Sequence, residues 1–270
     1  RDYYASRGLG DVYKRQEQMM YVITHKLYDK IKHDSTYKPI LVGASDKSIM
    51  WDGLSDDKGI NISRKNSSFC ELTGLYWIWK NTDDKYVGIC HYRRYFCRNP
   101  LFRKRSVITQ ADIERCLTNY DVVVPGKVWF LGRSSRNQYK RYHNIDDWTK
   151  MTDIIRKKYP DYEQDIEWFE KEKSGYCYNM FIADRDLFDK YCTWLFDVLF
   201  ELEKNVNTEG YGIYNRRIYG FLSERMLNIW IHHNKLRTRE LPVYNTELIG
   251  MYYSKAKNYI IRRIKKIDNY

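Results

Sequence analysis

The segment Tyr86-Val-Gly-Ile-Cys-His-Tyr-Arg-Arg-Tyr-Phe96 decides the fold and points to the site. Its first five residues form a short apolar run, typical of a strand that is buried on both faces. A histidine, a tyrosine and two arginines follow where this strand would end. Ligands of open α/β sheets bind outside the carboxyl ends of the strands, so we expect an anionic ligand beside Arg93 and Arg94. The alternative is a solvated basic turn whose aromatic side chains pack inward.

Similar apolar runs flank this segment on both sides. They predict further strands at 20–24, 38–44, 120–125 and 178–183. One helix is expected to begin at a capping box, Ser68-x-x-Glu71, and others at 109–118, 146–158, 161–171, 187–203 and 219–232. Because strands and helices alternate along the chain, the sequence predicts an α/β sandwich with a mostly parallel central sheet flanked by helices.

The composition restricts the class of protein. The chain has 270 residues, of which 47 are Lys or Arg and 35 are Asp or Glu, so its formal net charge is +12. It contains no run of about 18 apolar residues, which excludes a membrane-spanning helix. With 26 Tyr and 8 Trp it is too aromatic to be disordered. The 6 cysteines form no CxxC pair, so we expect neither disulfides nor a zinc site, and a cytoplasmic location.

The two ends of the chain differ from its middle. Residues 1–18 show neither sustained periodicity nor a signal-peptide pattern. They resemble translated read-through of a sequencing adapter, so we expect a non-native leader before Met19 or Met20. Residues 19–250 are expected to form one domain and residues 251–270 a basic amphipathic tail. The basic residues between Lys255 and Lys266 would suit an anionic membrane surface, with solvated charge on a terminal helix as the alternative.

Glu224 is the candidate for proton transfer. It lies in Gly220-Phe-Leu-Ser-Glu-Arg-Met-Leu227, where it is expected in the first turn of a mostly buried helix. A carboxylate close to the core could accept a proton from a sugar hydroxyl. It could equally complement the helix dipole or pair with Arg225 or Arg217. His25, which follows the first strand, is a candidate nucleotide contact, with a satisfied surface histidine as the alternative.

The chain contains one match to a metal-binding pattern and lacks several catalytic motifs. Asp184-Arg185-Asp186 fits the DxD pattern of many nucleotide-sugar enzymes, so Asp184 and Asp186 are candidate ligands for Mg²⁺ or Mn²⁺. An aspartate between a strand and a helix is also a common cap. No GxSxG, P-loop or GxGxxG motif occurs, which argues against common hydrolases, kinases and dinucleotide-dependent dehydrogenases. Nucleic-acid binding is not expected, because the positive charge is dispersed and no motif supports it.

Several stretches taken together resemble one family. The string Cys70-Glu-Leu-Thr-Gly-Leu-Tyr-Trp-Ile-Trp-Lys-Asn81, followed by Tyr86–Phe96, resembles the DUF4422 family of bacterial glycosyltransferase-like proteins. Asn179–Ile182, Trp194–Phe196 and Gly220–Arg225 are similar to later motifs of that family, in the same order. The resemblance covers about residues 20 to 245, nearly the whole chain after the leader.

The resemblance implies a GT-A-like fold that binds a nucleotide sugar. It also implies transfer of the sugar to a growing cell-surface polysaccharide, through a glycan or lipid-linked saccharide acceptor. The donor would be UDP-linked, and UDP-galactofuranose is one candidate. Many GT-A enzymes carry an acidic metal motif where this chain has His91-Tyr92-Arg93-Arg94. We therefore expect the arginines to hold the diphosphate without a required cofactor, with Mg²⁺ or Mn²⁺ as the alternative.

These inferences give each candidate residue an expected role. Arg93 and Arg94 would bind the diphosphate and stabilise it as it leaves, and Glu224 would deprotonate the acceptor in an inverting displacement. The nucleotide would lie at the end of the first strand and the loop 61–66. The remaining expected substrate-binding residues are His25, Glu71, His91, Tyr92, Tyr178, Asn179 and Arg225. The alternatives are a retaining hexosyltransferase and a non-catalytic module that binds glycans or nucleic acid. The expected location is the cytoplasm, peripherally on the inner face of the plasma membrane.

Overall fold

The computed structural model describes residues 19–28, 35–99 and 106–247. The predicted leader 1–18 and the predicted tail 251–270 lie outside the described residues. The strands are β1 (Met19–Thr24), β2 (Tyr37–Leu41), β3 (Leu54–Ser55), β4 (Tyr86–His91), β5 (Arg94–Phe96), β6 (Val122–Pro125), β7 (Val128–Trp129), β8 (Ser174–Gly175), β9 (Ile182–Asp184), β10 (Thr238–Leu241) and β11 (Val243–Asn245). The helices are α1 (Asn66–Phe69), α2 (Leu72–Asn81), α3 (Gln110–Asn119), α4 (Ser135–Tyr142), α5 (Ile145–Lys158), α6 (Glu163–Lys171), α7 (Arg185–Asn205) and α8 (Ile218–His233).

One large sheet runs through the described part of the protein in the order β10-β6-β9-β4-β1-β2-β3. Strands β4, β1, β2 and β3 are mutually parallel, and β10 is parallel to β6. Strand β9 runs antiparallel to both of its neighbours, β4 and β6. Strand β5 folds back on β4 and pairs with β11. The predicted α/β class with a mostly parallel central sheet is therefore confirmed.

The sheet separates two hydrophobic clusters because alternate residues of each strand point to opposite faces. In β1, Tyr21 and Ile23 pack with α2, α7 and α8 in the larger cluster. Met20 and Val22 belong to the smaller cluster, which includes Ile113 of α3. No helix in the described ranges is both long enough and apolar enough to cross a membrane.

The corner between α1 and α2 differs from the sequence prediction. Ser68 lies inside α1, where its hydroxyl donates to the carbonyl of Lys65. Glu71 precedes α2 without capping it through its side chain. The predicted capping box is therefore wrong, and the reason is Cys70, whose φ of 52° breaks the helical path between the two residues. The break leaves the Glu71 carboxylate free to contact Asn179 instead.

The sheet topology gathers several segments at one edge. Strands β1, β2 and β4 are parallel, so the residues after their carboxyl ends lie side by side. Because β9 is antiparallel to β4, the residues before β9 reach that same edge. Tyr178 and Asn179, expected in an extended strand, instead have φ values of 80° and 50°. This turn of the chain directs both residues into the site described next.

Candidate active site

A cavity of about 850 Å³ opens at the carboxyl ends of β1, β2 and β4. Its other walls come from the α1–α2 corner, from α4 and from the first turns of α8. Every predicted substrate-site residue except Asn179 lines it: His25, Glu71, His91, Tyr92, Arg93, Arg94, Tyr178, Glu224 and Arg225. Asn179 is buried and binds Glu71 directly. The structure thus brings residues from both halves of the chain into one site.

Glu224 is held firmly at the cavity wall. Its Oε2 accepts a hydrogen bond of 2.6 Å from Nη1 of Arg225, and its Oε1 accepts one of 3.0 Å from the backbone N–H of Tyr178. Helix α8 begins at Ile218 and has no acidic residue in its first turn, so the expectation that Glu224 lies in that turn is wrong. The carboxylate is therefore oriented by these two donors and not by the end of its helix.

A second carboxylate, Glu71, lies in the same cavity. Its Oε1 accepts a hydrogen bond of 2.7 Å from Nδ2 of Asn179. Burial raises the pKa of Glu71, and burial likewise raises the pKa of Glu224, although Arg225 opposes the latter shift. Negative charge on Glu71 raises the pKa of Glu224 further. Two partly buried carboxylates in one cavity, of which one disfavours the ionisation of the other, are an arrangement common at acid–base sites.

Asn179 joins the two carboxylate-bearing elements. Its Nδ2 also donates to the carbonyl of Gly220 at 3.0 Å, and its Oδ1 accepts from Oγ of Ser223 at 3.0 Å. The side chain is thus fully engaged between the start of α2 and helix α8. Asn179 fixes the position of Glu71 relative to the helix that carries Glu224.

His91 contacts the turn formed by Tyr178 and Asn179. One ring nitrogen, Nε2, lies 2.5 Å from the carbonyl oxygen of Tyr178. Burial, reinforced by the charge of Arg94, lowers the pKa of His91 to about 4. The ring is therefore neutral at pH 7, and its Nε2–H donates to the carbonyl, which can only accept. His91 holds the left-handed turn at Tyr178 in place.

The two tandem arginines have different surroundings. Nη1 of Arg93 forms an ion pair of 2.8 Å with Oε2 of Glu247 at a partly exposed position. Arg94 places its guanidinium 4.5 Å from the ring centre of Tyr178, and among the described residues it has no ion-pair partner. A guanidinium stays protonated at neutral pH. Arg94 therefore offers an available positive charge to a ligand in the cavity.

Of the residues expected to contact the nucleotide, only some line the cavity. His25 lines the cavity with its ring edge-to-face against Tyr92 at 5.3 Å, and burial lowers its pKa. In the loop 61–66, Asn66 lines the cavity, whereas Asn61 points its amide at the carbonyls of Asp57 and Gly59. Gly43, which has a φ of 63°, lies so near Asn66 that a Cβ would approach its Oδ1 to 2.5 Å. The strand end and Asn66 therefore belong to the site, but Asn61 does not.

The alternative metal pair lies away from this cavity. Asp184 is in register with Tyr86, at the start of β4, and so at the opposite edge of the sheet. Its Oδ1 accepts a hydrogen bond of 2.8 Å from the backbone N–H of Leu187, which caps α7. Asp186 lies in the first turn of the same helix. Within the described ranges no group of three or more His, Cys, Asp or Glu is arranged to hold a metal ion.

Several cavity residues were not predicted as ligand contacts from the sequence. Gln138 and Tyr142 lie in α4 and His143 follows it, whereas Tyr214 and Arg217 precede α8 and Phe221 lies in its first turn. Nε of Arg217 lies 3.1 Å from Sγ of Cys70, and burial raises the pKa of that thiol to about 11. No local motif marks these residues; the signal was only the polar and aromatic character of the segments around them.

Comparison with known proteins gives two matches. Residues 19–235 match the sequence model of a family described as a domain of unknown function, DUF4422. The solved apo structure of the WbbM bifunctional glycosyltransferase is similar over 84% of this chain, with 29% sequence identity and a TM-score of 0.77. That match covers 45% of the WbbM chain, so this chain spans less than half its length. No curated protein sequence matches. The expected GT-A-like fold is confirmed by this similarity.

Proposed function

The chain belongs to the DUF4422 family, and on that premise we propose that it is a glycosyltransferase using a nucleotide diphosphate sugar. One observation carries the proposal: an oriented, partly buried carboxylate, Glu224, and an available guanidinium, Arg94, face the same cavity at the carboxyl ends of parallel strands. Inverting transfer of a sugar from a diphosphate can use both groups, one to take a proton and one to stabilise the leaving charge. The similarity to a bifunctional glycosyltransferase supports the same reaction class.

Arg94 would bind the diphosphate of the donor. A guanidinium can donate two parallel hydrogen bonds to phosphate oxygens, and the partly buried position of Arg94 strengthens the interaction because water screens it less. Negative charge grows on the leaving diphosphate as its bond to the sugar breaks, so a fixed cation there lowers the barrier. Arg93 would add a second charge if the donor replaces Glu247 as its partner.

Glu224 would act as the general base. The acceptor hydroxyl attacks the anomeric carbon, its proton moves to the Glu224 carboxylate, and the electron pair of the broken C–O bond stays on the diphosphate. Burial raises the pKa of Glu224, which makes the carboxylate a stronger base. Arg225 and the Tyr178 N–H fix its direction. A direct displacement of this kind inverts the anomeric configuration.

The finer assignments follow the family resemblance. We propose a UDP-linked donor, with UDP-galactofuranose as a candidate, and a growing cell-surface polysaccharide or lipid-linked saccharide as the acceptor. The arginine contacts are proposed to replace a divalent cation, with Mg²⁺ or Mn²⁺ dependence as the alternative. A retaining hexosyltransferase differs in the anomeric configuration of its product, which NMR of the product determines. A non-catalytic module would bind saccharides without turnover.

Nucleotide binding tests the proposal directly. Calorimetry and thermal shift against a panel of nucleoside diphosphates, in EDTA and again with Mg²⁺ or Mn²⁺, should find one that binds in EDTA and raises the melting temperature. Arg94→Ala should weaken that binding at least about tenfold, the order of one charge-assisted hydrogen bond, and Arg94→Lys should lose less. Arg115→Ala is the control, because its side chain is 76% exposed on α3, outside the cavity.

Two results would contradict the proposal in different ways. Binding that appears only with a divalent cation would overturn the arginine site but leave the transferase activity standing. No binding by any nucleoside diphosphate in either condition would instead favour the non-catalytic module.

A further inference from the structure

One wall of the cavity is built from aromatic side chains. Tyr142 and His143 come from the end of α4, and Tyr214 and Phe221 from the segment that enters α8. We refer to these four residues as the aromatic wall. They lie in two segments about 70 positions apart in the sequence that meet only in the folded chain. The proposed roles of Arg94 and Glu224 make no use of them.

Two rings of the aromatic wall remain accessible. Tyr142 is 52% exposed and Tyr214 is 56% exposed. A single exposed aromatic residue is ordinary on a protein surface. Two exposed aromatic residues that line the same cavity form a local apolar surface with a polar border, and such surfaces are common in ligand-binding sites.

The exposed ring of Tyr214 packs against other aromatic side chains. The Tyr214 ring lies parallel to His143, with an interplanar angle of 12° and a centroid separation of 5.7 Å. His143 in turn lies 4.2 Å from Phe221 and 4.7 Å from the fully buried Tyr139. These contacts hold the Tyr214 ring in place before any ligand binds, which reduces the entropy lost on binding.

The aromatic wall is uncharged, unlike the rest of the cavity. Burial, with a contribution from Arg225, lowers the pKa of His143 to about 4, so this ring is neutral at pH 7. Arg93 and Arg94 line the cavity elsewhere, and Arg217 lies at the border of the aromatic wall, with its guanidinium 5.4 Å from the ring centre of Phe221. A diphosphate is attracted to those cations, whereas the apolar C–H face of a neutral sugar ring packs well on an uncharged aromatic surface.

Hydrogen bonds connect the aromatic wall to the proposed base. Arg225 donates from Nη1 to Glu224 at 2.6 Å and to the carbonyl of Phe221 at 2.9 Å. Its Nη2 donates to Oε1 of Gln138 at 2.9 Å, and Gln138 lies one helical turn before Tyr142. A sugar resting on the aromatic wall would therefore have its hydroxyl groups beside Glu224.

We propose that the aromatic wall is the acceptor subsite, where Tyr214 and Tyr142 stack against a sugar ring of the acceptor. Gln138, whose amide N–H₂ is not used by Arg225, donates to a hydroxyl of that sugar. This assignment rests on the proposed transferase function, since it requires a donor held at Arg94. It names the acceptor as a neutral saccharide and places its reactive hydroxyl next to the general base.

Saccharide binding, measured separately from nucleotide binding, tests the inference. The probes are methyl and octyl hexopyranosides and hexofuranosides, followed by saturation-transfer NMR, with nucleoside diphosphate affinity measured by calorimetry. Tyr214→Ala and Tyr142→Ala should each weaken saccharide binding about tenfold while the nucleotide affinity changes less than about threefold. Tyr214→Phe should retain binding because it keeps the ring. Trp129→Ala is the control, since Trp129 is 62% exposed on β7, outside the cavity.

Each outcome separates this inference from the proposed function. The inference is overturned if saccharides bind the wild type and both alanine variants equally. It is also overturned if no saccharide binds the wild type, even when a nucleotide does. If the two alanine variants lose nucleotide binding but bind saccharides as the wild type does, the inference is also overturned, because the aromatic wall would then stack a nucleobase. Saccharide binding that depends on the aromatic wall in a protein that binds no nucleotide keeps the sugar site and rejects the transferase function.

Discussion

Glu71 and Glu224 show how one cavity can hold two carboxylates of different character. Glu224 contacts the guanidinium of Arg225 and a backbone N–H, and both favour its ionised form. Glu71 has one hydrogen bond from the neutral amide of Asn179. Burial raises the pKa of both carboxyl groups, and negative charge on Glu71 raises the pKa of Glu224 further.

Replacing the proposed base should abolish turnover and leave donor binding intact. Glu224→Gln keeps the size and one acceptor oxygen but cannot take the proton, so kcat should fall about 10²- to 10⁴-fold. Affinity for the nucleoside diphosphate should change little, because Arg94 and not Glu224 holds the donor. Glu167→Gln is the control, since its side chain is 58% exposed on α6. A kcat for Glu224→Gln within threefold of the wild type would rule out the assignment.

Glu71→Gln should stabilise the protein increasingly as the pH rises. The folded-state pKa of Glu71 lies above its unfolded value. Its favourable contribution to the free energy of unfolding is therefore complete below the unfolded pKa of about 4.3 and is lost as the pH rises through the folded pKa. Glutamine resembles the protonated acid and can still accept from Asn179. The melting temperature of the variant relative to the wild type should therefore increase from pH 5 to pH 8. If the difference in melting temperature does not change with pH, the pKa of Glu71 is not raised in the folded protein.

The candidate site was predictable where its residues are consecutive in sequence. His91, Tyr92, Arg93 and Arg94 follow a recognisable strand, and a strand end is where α/β proteins bind ligands. Arg217 and Tyr214 were harder to assign, because they acquire a role only when the start of α8 packs beside the α1–α2 corner. The different availability of Arg93 and Arg94 could not be read from the sequence either, since it depends on Glu247.

Among the elements, β9 determines which residues reach the site. An apolar run predicts a strand but not its direction, and β9 is antiparallel to β4 and β6. This direction brings Tyr178 to the cavity and Asn179 to Glu71, and it sends Asp184 to the opposite edge of the sheet. If β9 were parallel to β4, its carboxyl end with Asp184 would lie at the cavity edge of the sheet and Tyr178 at the opposite edge. The two candidate sites, the one at Tyr178 and the one at Asp184, could not have been distinguished by pattern alone.

The bounds of two long helices were predicted to within about one residue at each end. Helix α5 was expected at 146–158 and spans Ile145–Lys158, and α8 was expected at 219–232 and spans Ile218–His233. The prediction failed at Ser68 because the capping-box pattern assumes a continuous chain path. Cys70 leaves that path with a positive φ, which a non-glycine residue rarely adopts. Tertiary contacts of the site hold this conformation, and local propensity does not reveal it.

Helix α2 packs closely on the ends of β1 and β2 through Gly74. A Cβ at this position would lie 2.7 Å from Cδ1 of Ile23 and 2.7 Å from Cγ1 of Val42. Gly74→Ala should therefore destabilise the protein by about 1–3 kcal/mol through overpacking, which outweighs the gain of about 1 kcal/mol in helix propensity. Urea denaturation gives the free energy of unfolding.

The matched control for Gly74→Ala is Gly212→Ala. Gly212 has no heavy atom within 4 Å of a Cβ built on it and does not have a positive φ. This variant should stay within about 0.5 kcal/mol of the wild type, as surface substitutions usually do. If Gly74→Ala were equally neutral, the close contact between α2 and the strands β1 and β2 would be disproved.

At the scale of the whole molecule, charge favours an anionic ligand. The formal net charge is +12, and the cavity that holds Glu71 and Glu224 also contains Arg93, Arg94 and Arg217. Excess positive charge attracts anions over long distances and raises their association rate. A nucleotide diphosphate sugar is such an anion. The same net charge also favours contact with an anionic membrane, where a lipid-linked acceptor would reside.

Binding to anionic vesicles should depend on the basic segment between Lys255 and Lys266. This segment lies outside the described residues, so the prediction rests on the sequence, in which the basic residues are Lys255, Lys257, Arg262, Arg263, Lys265 and Lys266. Each cation near an anionic surface contributes about 1 kcal/mol. The protein should therefore sediment with phosphatidylglycerol-containing vesicles at low salt but not with pure phosphatidylcholine. Raising the salt to about 0.5 M should release it, because screening shortens the range of the attraction.

The matched variant changes these basic residues to Gln and leaves the cavity intact. It should bind the nucleoside diphosphate as the wild type does, because Arg94 and the strand ends are unchanged. It should also lose most of its vesicle binding. If the variant sediments with anionic vesicles as strongly as the wild type, the membrane-binding surface is elsewhere on this basic protein. The prediction of a tail that holds the protein at the inner face of the membrane would then be wrong, whereas the proposed reaction at Glu224 and Arg94 would be unaffected.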